Sequence, residues 1–184
     1  MSAIYVVDVL ERVPRRVVSA QTNLALPVWS TDCRWLFASD GREVLYRVPA
    51  GGGDAQRFTS QRSYQAAVVG ERVVFNVVEP ANVSLWTQPL EGGDAAALPG
   101  MPRLTYADSW AANAHGVVFT DSSTDPVTVR RYDFESRKIS EIGRLPNKPT
   151  PLGGLGLAIS ADGATVLYTH TEDLQSDLVL APLD

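Results

Sequence analysis

The sequence predicts an all-β chain: a β-propeller segment of about four four-stranded antiparallel blades, with incomplete blades at both ends. Three observations carry this. Short β-branched and aromatic runs recur at roughly 40 to 50 residues, the length of a four-stranded blade. No stretch carries the apolar spacing of three and four that a helical repeat of similar length would need. Gly- and Asp-rich turns fall between the runs, where tight hairpins require positive φ.

The repeat is visible in two ladders. The segments "IYVVDVLERVPRR", "LYRVPAGGGDAQRF", "LWTQPLEGGDAAAL", "RRYDFESRKISEI" and "LVLAPLD" align Asp8, Pro49, Pro89, Asp133 and Pro182, at offsets of 41, 40, 44 and 49 residues. About a dozen residues ahead of the last four, "WLFAS", "VVFNV", "VVFT" and "VLYTH" align Phe37, Phe75, Phe119 and Tyr168, at offsets of 38, 44 and 49. Runs such as "VVFNVV" are continuously apolar rather than alternating, as expected of middle strands covered on both faces by neighbouring blades. The prolines in "YRVP" and "TQPL" fit strand termini, where a ladder N–H is dispensable.

Taken in order, the chain should hold two strands in 3–19, four in 26–60, four in 65–98, four in 108–143 and three in 155–183. One propeller domain over 1–184 is thus divided into blades at about 1–20 (half a blade), 22–60, 61–99, 105–144 and 150–184. Turns are expected at 39–42, 50–54, 91–94 and 160–163. A blade face and a strand edge are left to be covered. Three arrangements would do so: further blades of a longer parent chain, closure by a homo-oligomer, or a small ring in which the N-terminal strands complete the last blade.

Composition narrows the function. At 184 residues with 45% hydrophobic and 20% charged residues, the chain is apolar enough to fold. Its net charge of −5 and pI near 5.0 leave no basic face for phosphates, so direct nucleic-acid binding is not expected. A single cysteine, Cys33, excludes an intramolecular disulfide and a thiolate zinc site. "MSAIYVVDVLERVPRR" lacks the basic start of a secretory signal and reads as a strand. No eighteen-residue apolar run offers a membrane span.

The segment "PVWSTDCRWLFASDGREVLYRVPAGGGDAQRFT" resembles the TolB-like, WD-related propeller repeat, with its Trp-Ser-Pro-Asp-Gly turn, "lyfas" and "iyrvp" strands, Gly-Gly turn and closing "rlT". Trp29, Ser30 and Asp32 match. Thr31 replaces the usual Pro and Cys33 the usual Gly, so a turn that is strained or differently shaped is expected there. The last segment, "GLGLAISADGATVLYTHTEDLQSDLVLAPLD", resembles the terminal blade of bacterial winged-helix transcriptional regulators that carry a C-terminal propeller. Gly156, Ser160, Asp162, Gly163, Tyr168, Asp173, Ser176 and Asp177 carry that likeness. The resemblance implies a bacterial sensing or docking module whose DNA-reading domain would precede Met1, in cytoplasm or periplasm. Related propellers also gate prolyl-oligopeptidase-like enzymes.

Candidate chemistry is sparse. Only His115, in the turn "NAHGVV", and His170, at the end of "VLYTH", could serve as a triad base, and no Gly-x-Ser-x-Gly elbow accompanies them. The acidic groups "TDSSTD" (Asp121, Asp125) and "TEDLQSD" (Glu172, Asp173, Asp177) lack EF-hand spacing and read as hairpin loops. "GGLGLA" at 153–158 leads into a strand where a phosphate loop must lead into a helix. Trp29, Trp35 and Trp86 sit at repeat positions suited to packing between blades. Trp110 is the exception, beginning an innermost strand near the central channel.

The sequence therefore reads as a non-enzymatic module binding a protein or peptide partner, with no catalytic residue, cofactor or metal. The candidate contacts are Tyr106, Asp108, Trp110, His170, Asp173 and Asp177. The alternative is a propeller attached to a peptidase-like or other hydrolytic enzyme whose catalytic residues lie outside this chain.

Overall fold

The computed structural model describes residues 2–20, 23–40, 44–106, 109–147 and 156–170. Among these residues every regular element is a strand. A first, two-stranded sheet pairs β1 (Ser2–Val7) with β2 (Pro14–Ala20). The second blade is the meander β3 (Ala25–Trp29), β4 (Trp35–Ser39), β5 (Leu45–Pro49) and β6 (Gln56–Arg57). The third holds β7 (Ala66–Val69), β8 (Arg72–Val78), β9 (Val83–Pro89) and β10 (Ala96–Ala97). The fourth holds β11 (Trp110–Asn113), β12 (Gly116–Asp121), β13 (Thr128–Asp133) and β14 (Ile139–Arg144). A final sheet pairs β15 (Leu157–Ile159) with β16 (Val166–Tyr168). All pairings are antiparallel, and the innermost strands β3, β7, β11 and β15 lie side by side in that order. This is the predicted all-β propeller segment; the third strand expected in the last blade, with Pro182, lies outside the described residues.

The core is layered between blades. Leu36, Ala38 and Val48 face Ile4, Val17 and Val18 of the first sheet. Phe37 and Leu45 face Val73, Phe75 and Val77 of the third blade. Val74 and Leu85 face Trp110, Val117, Phe119 and Tyr132 of the fourth, whose Val118 and Val129 face Leu157. Successive residues of a middle strand thus feed opposite layers, as the two-residue period of a strand demands, and each fully buried side chain contributes about 1.5–3 kcal/mol. The continuous apolar runs are explained by this two-sided burial, while outermost β14 is exposed along its whole length.

Pairing corrects the second ladder by one residue. Trp35 lies opposite Pro49 and Arg72 opposite Pro89, so the partner of Phe75 by position is Ala38, and that of Phe37 is Val74. Phe37 and Phe75 are therefore not equivalent. They point toward each other within one layer. A one-residue slip reverses every side chain, and aromatic likeness alone could not detect it.

The tryptophans also depart from expectation. Trp35 and Trp86 pack between the second and third blades, but Trp29, on innermost β3, is 47% exposed. Trp110, expected near the channel, is 1% exposed and central to the layer between the third and fourth blades.

Candidate functional site

The meanders give the molecule two ends. One carries the tight turns that join first to second and third to fourth strands of each blade. The other carries the 79–82 and 121–127 loops and the connections between blades at 58–65 and 98–109. Connecting loops are the usual carriers of function on such scaffolds, and Tyr106 and His170 both fall at this loop end.

Tyr106 is 45% exposed, and its hydroxyl donates to the Glu79 carbonyl. That tethers the 98–109 connection to the 79–82 loop. Glu79 is held in turn: Ser84 Oγ donates to Oε1 at 2.8 Å, and Arg103 Nη1 lies 2.8 Å from Oε2. Trp86 Nε1 donates to Ser84 Oγ at 3.0 Å, tying the cluster to the third blade's core face. Arg103 is exposed, so its ion pair orients more than it stabilises.

Beside this rim lies a buried polar floor. Asn76, fully buried, accepts the Tyr64 and Gln65 amides on Oδ1 at 3.1 and 2.8 Å. Gln65 Nε2 donates to the Trp110 carbonyl at 3.0 Å, linking the third and fourth blades. Among the described residues, Gln65 Oε1, Gln61 Oε1, Ser109 Oγ and Trp110 Nε1 are buried without a hydrogen-bond partner. Unpaired buried polar groups of this kind are costly. Burial pushes the Tyr64 phenol above its ordinary range, opposed by the adjacent Asn76 amide and reinforced by the nearby Tyr106 phenol.

Asp108, Asp173 and Asp177 lie outside the described residues. Tyr106 stands on the surface, whereas Trp110 is buried, its backbone carbonyl accepting from Gln65. His170 is exposed where the chain leaves β16. Tyr64, Gln65 and Asn76 escaped the sequence reading; the one polar residue inside "VVFNVV" was the available signal for them.

The two histidines occupy opposite ends, because His115 is in the tight turn between β11 and β12, its amide donating to Asn113 Oδ1 at 3.0 Å. Asp121 is held below the usual carboxylate range by the Ser123 hydroxyl and amide and by Arg130, 3.0 Å away. Among the described residues no three His, Cys, Asp or Glu side chains gather to hold a metal, and no helix is long and apolar enough to cross a membrane.

No protein-family model matches the sequence, and no curated protein matches it. Solved structures do. TolB from Acinetobacter baumannii aligns over 94% of this chain and 44% of its own, with TM-score 0.64 and 16% identity. A protein described as a TolB from Agrobacterium tumefaciens aligns over 92% of this chain and 70% of its own, with TM-score 0.62 and 14% identity. The fold is a TolB-like β-propeller. The chain spans less than half the length of the Acinetobacter TolB. A puromycin-hydrolyzing peptidase from Mycobacterium tuberculosis aligns over 75% of this chain and 23% of its own, with TM-score 0.53 and 21% identity.

Proposed function

We propose that this TolB-like segment is a non-enzymatic binding module that takes a protein or peptide partner at its loop end. The carrying observation is Tyr106, 45% exposed in the connection between the third and fourth blades and tethered to the Glu79 carbonyl, with the Tyr64 phenol close beside it. Tyrosine supplies apolar area and a hydroxyl at little entropic cost. In this reading the contact set is Tyr106, Asp108, His170, Asp173 and Asp177, with Trp110 holding Gln65 in place.

Likeness of the final segment to regulator propellers supports a parent that senses or docks, with further blades or a second copy covering the outer faces. The likeness to a peptidase supports a second reading, a gating propeller whose catalytic residues lie outside this chain. Peptides selected from a random library on the protein, then titrated by calorimetry, test the first. Tyr106→Ala and Tyr64→Ala are each expected to weaken binding about tenfold or more, a hot-spot loss above about 1.4 kcal/mol, while His115→Ala leaves it unchanged. Selected peptides that ignore both tyrosines would sink the reading.

A further inference from the structure

At the opposite, tight-turn end, two adjacent inter-blade clefts occupy the same place in the repeat and are built differently. Between the second and third blades, the second blade contributes Trp35, Phe37, Arg47 and Phe58. Phe37 and Phe58 stack edge to face at 4.8 Å, and the Arg47 guanidinium lies 4.2 Å over the Trp35 ring. The charges in this cleft are neutralised across it: Arg34 Nη2 meets Glu91 Oε1 at 2.8 Å and Arg47 Nη1 lies 3.9 Å from Glu91 Oε2.

One blade along, the corresponding positions follow from the pairing to Pro49 and Pro89 and from the amides of Phe58 and Leu98, which donate to Leu45 and Leu85. Trp35 becomes Arg72, Phe37 becomes Val74, Arg47 becomes Thr87 and Phe58 becomes Leu98. The last three changes leave smaller side chains. A cavity of about 520 Å³ in the preceding cleft is lined by paired charges, Asp32, Arg34 and Glu91 among them, and one of about 390 Å³ lies between the third and fourth blades. That is the size of a small-molecule site. Its far wall is aromatic: Tyr132 and Phe134, with ring centroids 6.0 Å apart. Tyr132 is fixed because its hydroxyl donates to the Pro99 carbonyl at 2.8 Å.

Two arginines, Arg72 and Arg137, stand at the exposed edge of this cavity, and no acidic side chain lines it. Among the described residues neither makes an ion pair, whereas Arg34 and Arg47 one cleft away do. In a chain of net charge −5, two uncompensated guanidiniums over an apolar and aromatic floor are matched by one ligand chemistry, an anion carried on an apolar body. Guanidinium forks bind carboxylates with charge-assisted hydrogen bonds.

We propose that the cleft between the third and fourth blades binds a carboxylate borne on an aliphatic or aromatic body, with Arg72 and Arg137 taking the carboxylate and Val74, Leu98, Tyr132 and Phe134 the body. Its source is a free small acid or the C-terminus of a chain ending in an apolar residue. This site is independent of the loop end.

The test is titration of the isotope-labelled protein with 3-phenylpropionate and with its neutral amide, followed by amide chemical shifts. At about 10 mM, the range where such a small ligand can bind, shifts are expected at residues lining the cleft. The amide is expected to bind at least about tenfold more weakly, as is the acid to Arg72→Gln/Arg137→Gln. Val74→Phe, which restores the second blade's residue, is expected to abolish binding without lowering the unfolding midpoint; should it not fold, the exposed arginine pair carries the test. Tyr106→Ala is expected to leave this binding intact, which separates it from the loop-end function. A capped peptide ending in free leucine binding more than about tenfold tighter than phenylpropionate identifies a chain terminus as the source, and equal or weaker binding a small acid. No shift at about 10 mM, equal binding of acid and amide, or full binding by folded Val74→Phe would overturn the proposal.

Discussion

Cys33 stands in the turn between β3 and β4 where Gly163 stands in the turn between β15 and β16, and both take the left-handed backbone region, at φ 58° and 74°. The two turns share the same serine and aspartate hydrogen bonds to the backbone. Ser30 and Ser160 accept the Cys33 and Gly163 amides at 3.0 and 2.9 Å, and their hydroxyls donate to Asp32 and Asp162 at 2.6 and 2.5 Å. Those hydroxyls also accept the Trp35 and Thr165 amides at 2.8 and 2.9 Å. The turn expected to be strained or differently shaped is thus strained only: a Cβ in the left-handed region costs about 1–2 kcal/mol.

Cys33→Gly should raise stability. Relief of the left-handed strain is partly offset by the freer unfolded chain, leaving a net gain of about 0.5–1 kcal/mol. Urea unfolding checks this; a fall in midpoint at unchanged slope would show that the Cys33 backbone carries no strain.

The same turn sets an acid response. The Ser30 hydroxyl, the Arg34 amide and the Arg34 guanidinium hold Asp32 down to about 2 from its usual 3.8. A carboxyl depressed in the folded state contributes stability above its unfolded value and loses it as pH falls through the folded one. Asp32→Asn should therefore flatten the fall in stability between pH 3.8 and about 2, read as urea midpoints across that range. An acid limb unaltered by the substitution would count against it.

Gly116 opens β12 against β13, and a methyl group there would collide with the Tyr132 carbonyl oxygen. The obstacle is paired backbone, which cannot swing aside as a side chain does. Gly116→Ala is expected to cost at least about 2–3 kcal/mol, while Gly143→Ala on β14, with open space beside it, stays within about 0.5 kcal/mol. Similar midpoints for the two variants would refute the contact.

Trp110 tests whether burial or hydrogen bonding gives this residue its importance. Its indole N–H has no partner among the described residues, so Trp110→Phe forfeits only area and is expected to cost under about 2 kcal/mol. Trp110→Ala empties the layer between the third and fourth blades and should cost about 3–5 kcal/mol. Equal losses in chemical denaturation would point instead to the indole N–H.

The separation of His115 and His170 at opposite ends bears on catalysis. Neither single alanine variant should reduce any hydrolytic turnover found in a protein containing this segment. A drop of about a hundredfold, the scale of losing a general acid or base, would overturn the non-enzymatic reading.

The sequence by itself determined the meander and its period. Pro49 and Pro89 end third strands because a proline N–H is not needed there, and the apolar run around Phe75 is legible because both its faces are buried. It also named Tyr106 as a candidate contact, and the structure shows that side chain exposed in a connection between blades. Tertiary structure decided which way each aromatic points. Phe37 and Phe75 look alike in sequence yet oppose each other across one layer, because facing is set by pairing register and a slip of one residue leaves composition unchanged. Trp29 is likewise half exposed and Trp110 buried between blades, the reverse of what their places in the sequence suggested. Only tertiary structure could show the cleft between the third and fourth blades, since Val74, Thr87 and Leu98 meet Tyr132 and Phe134 across it only once the blades are stacked. Local preference governs strands and turns, whereas the volume and charge left over between blades depend on residues some forty positions apart meeting in space.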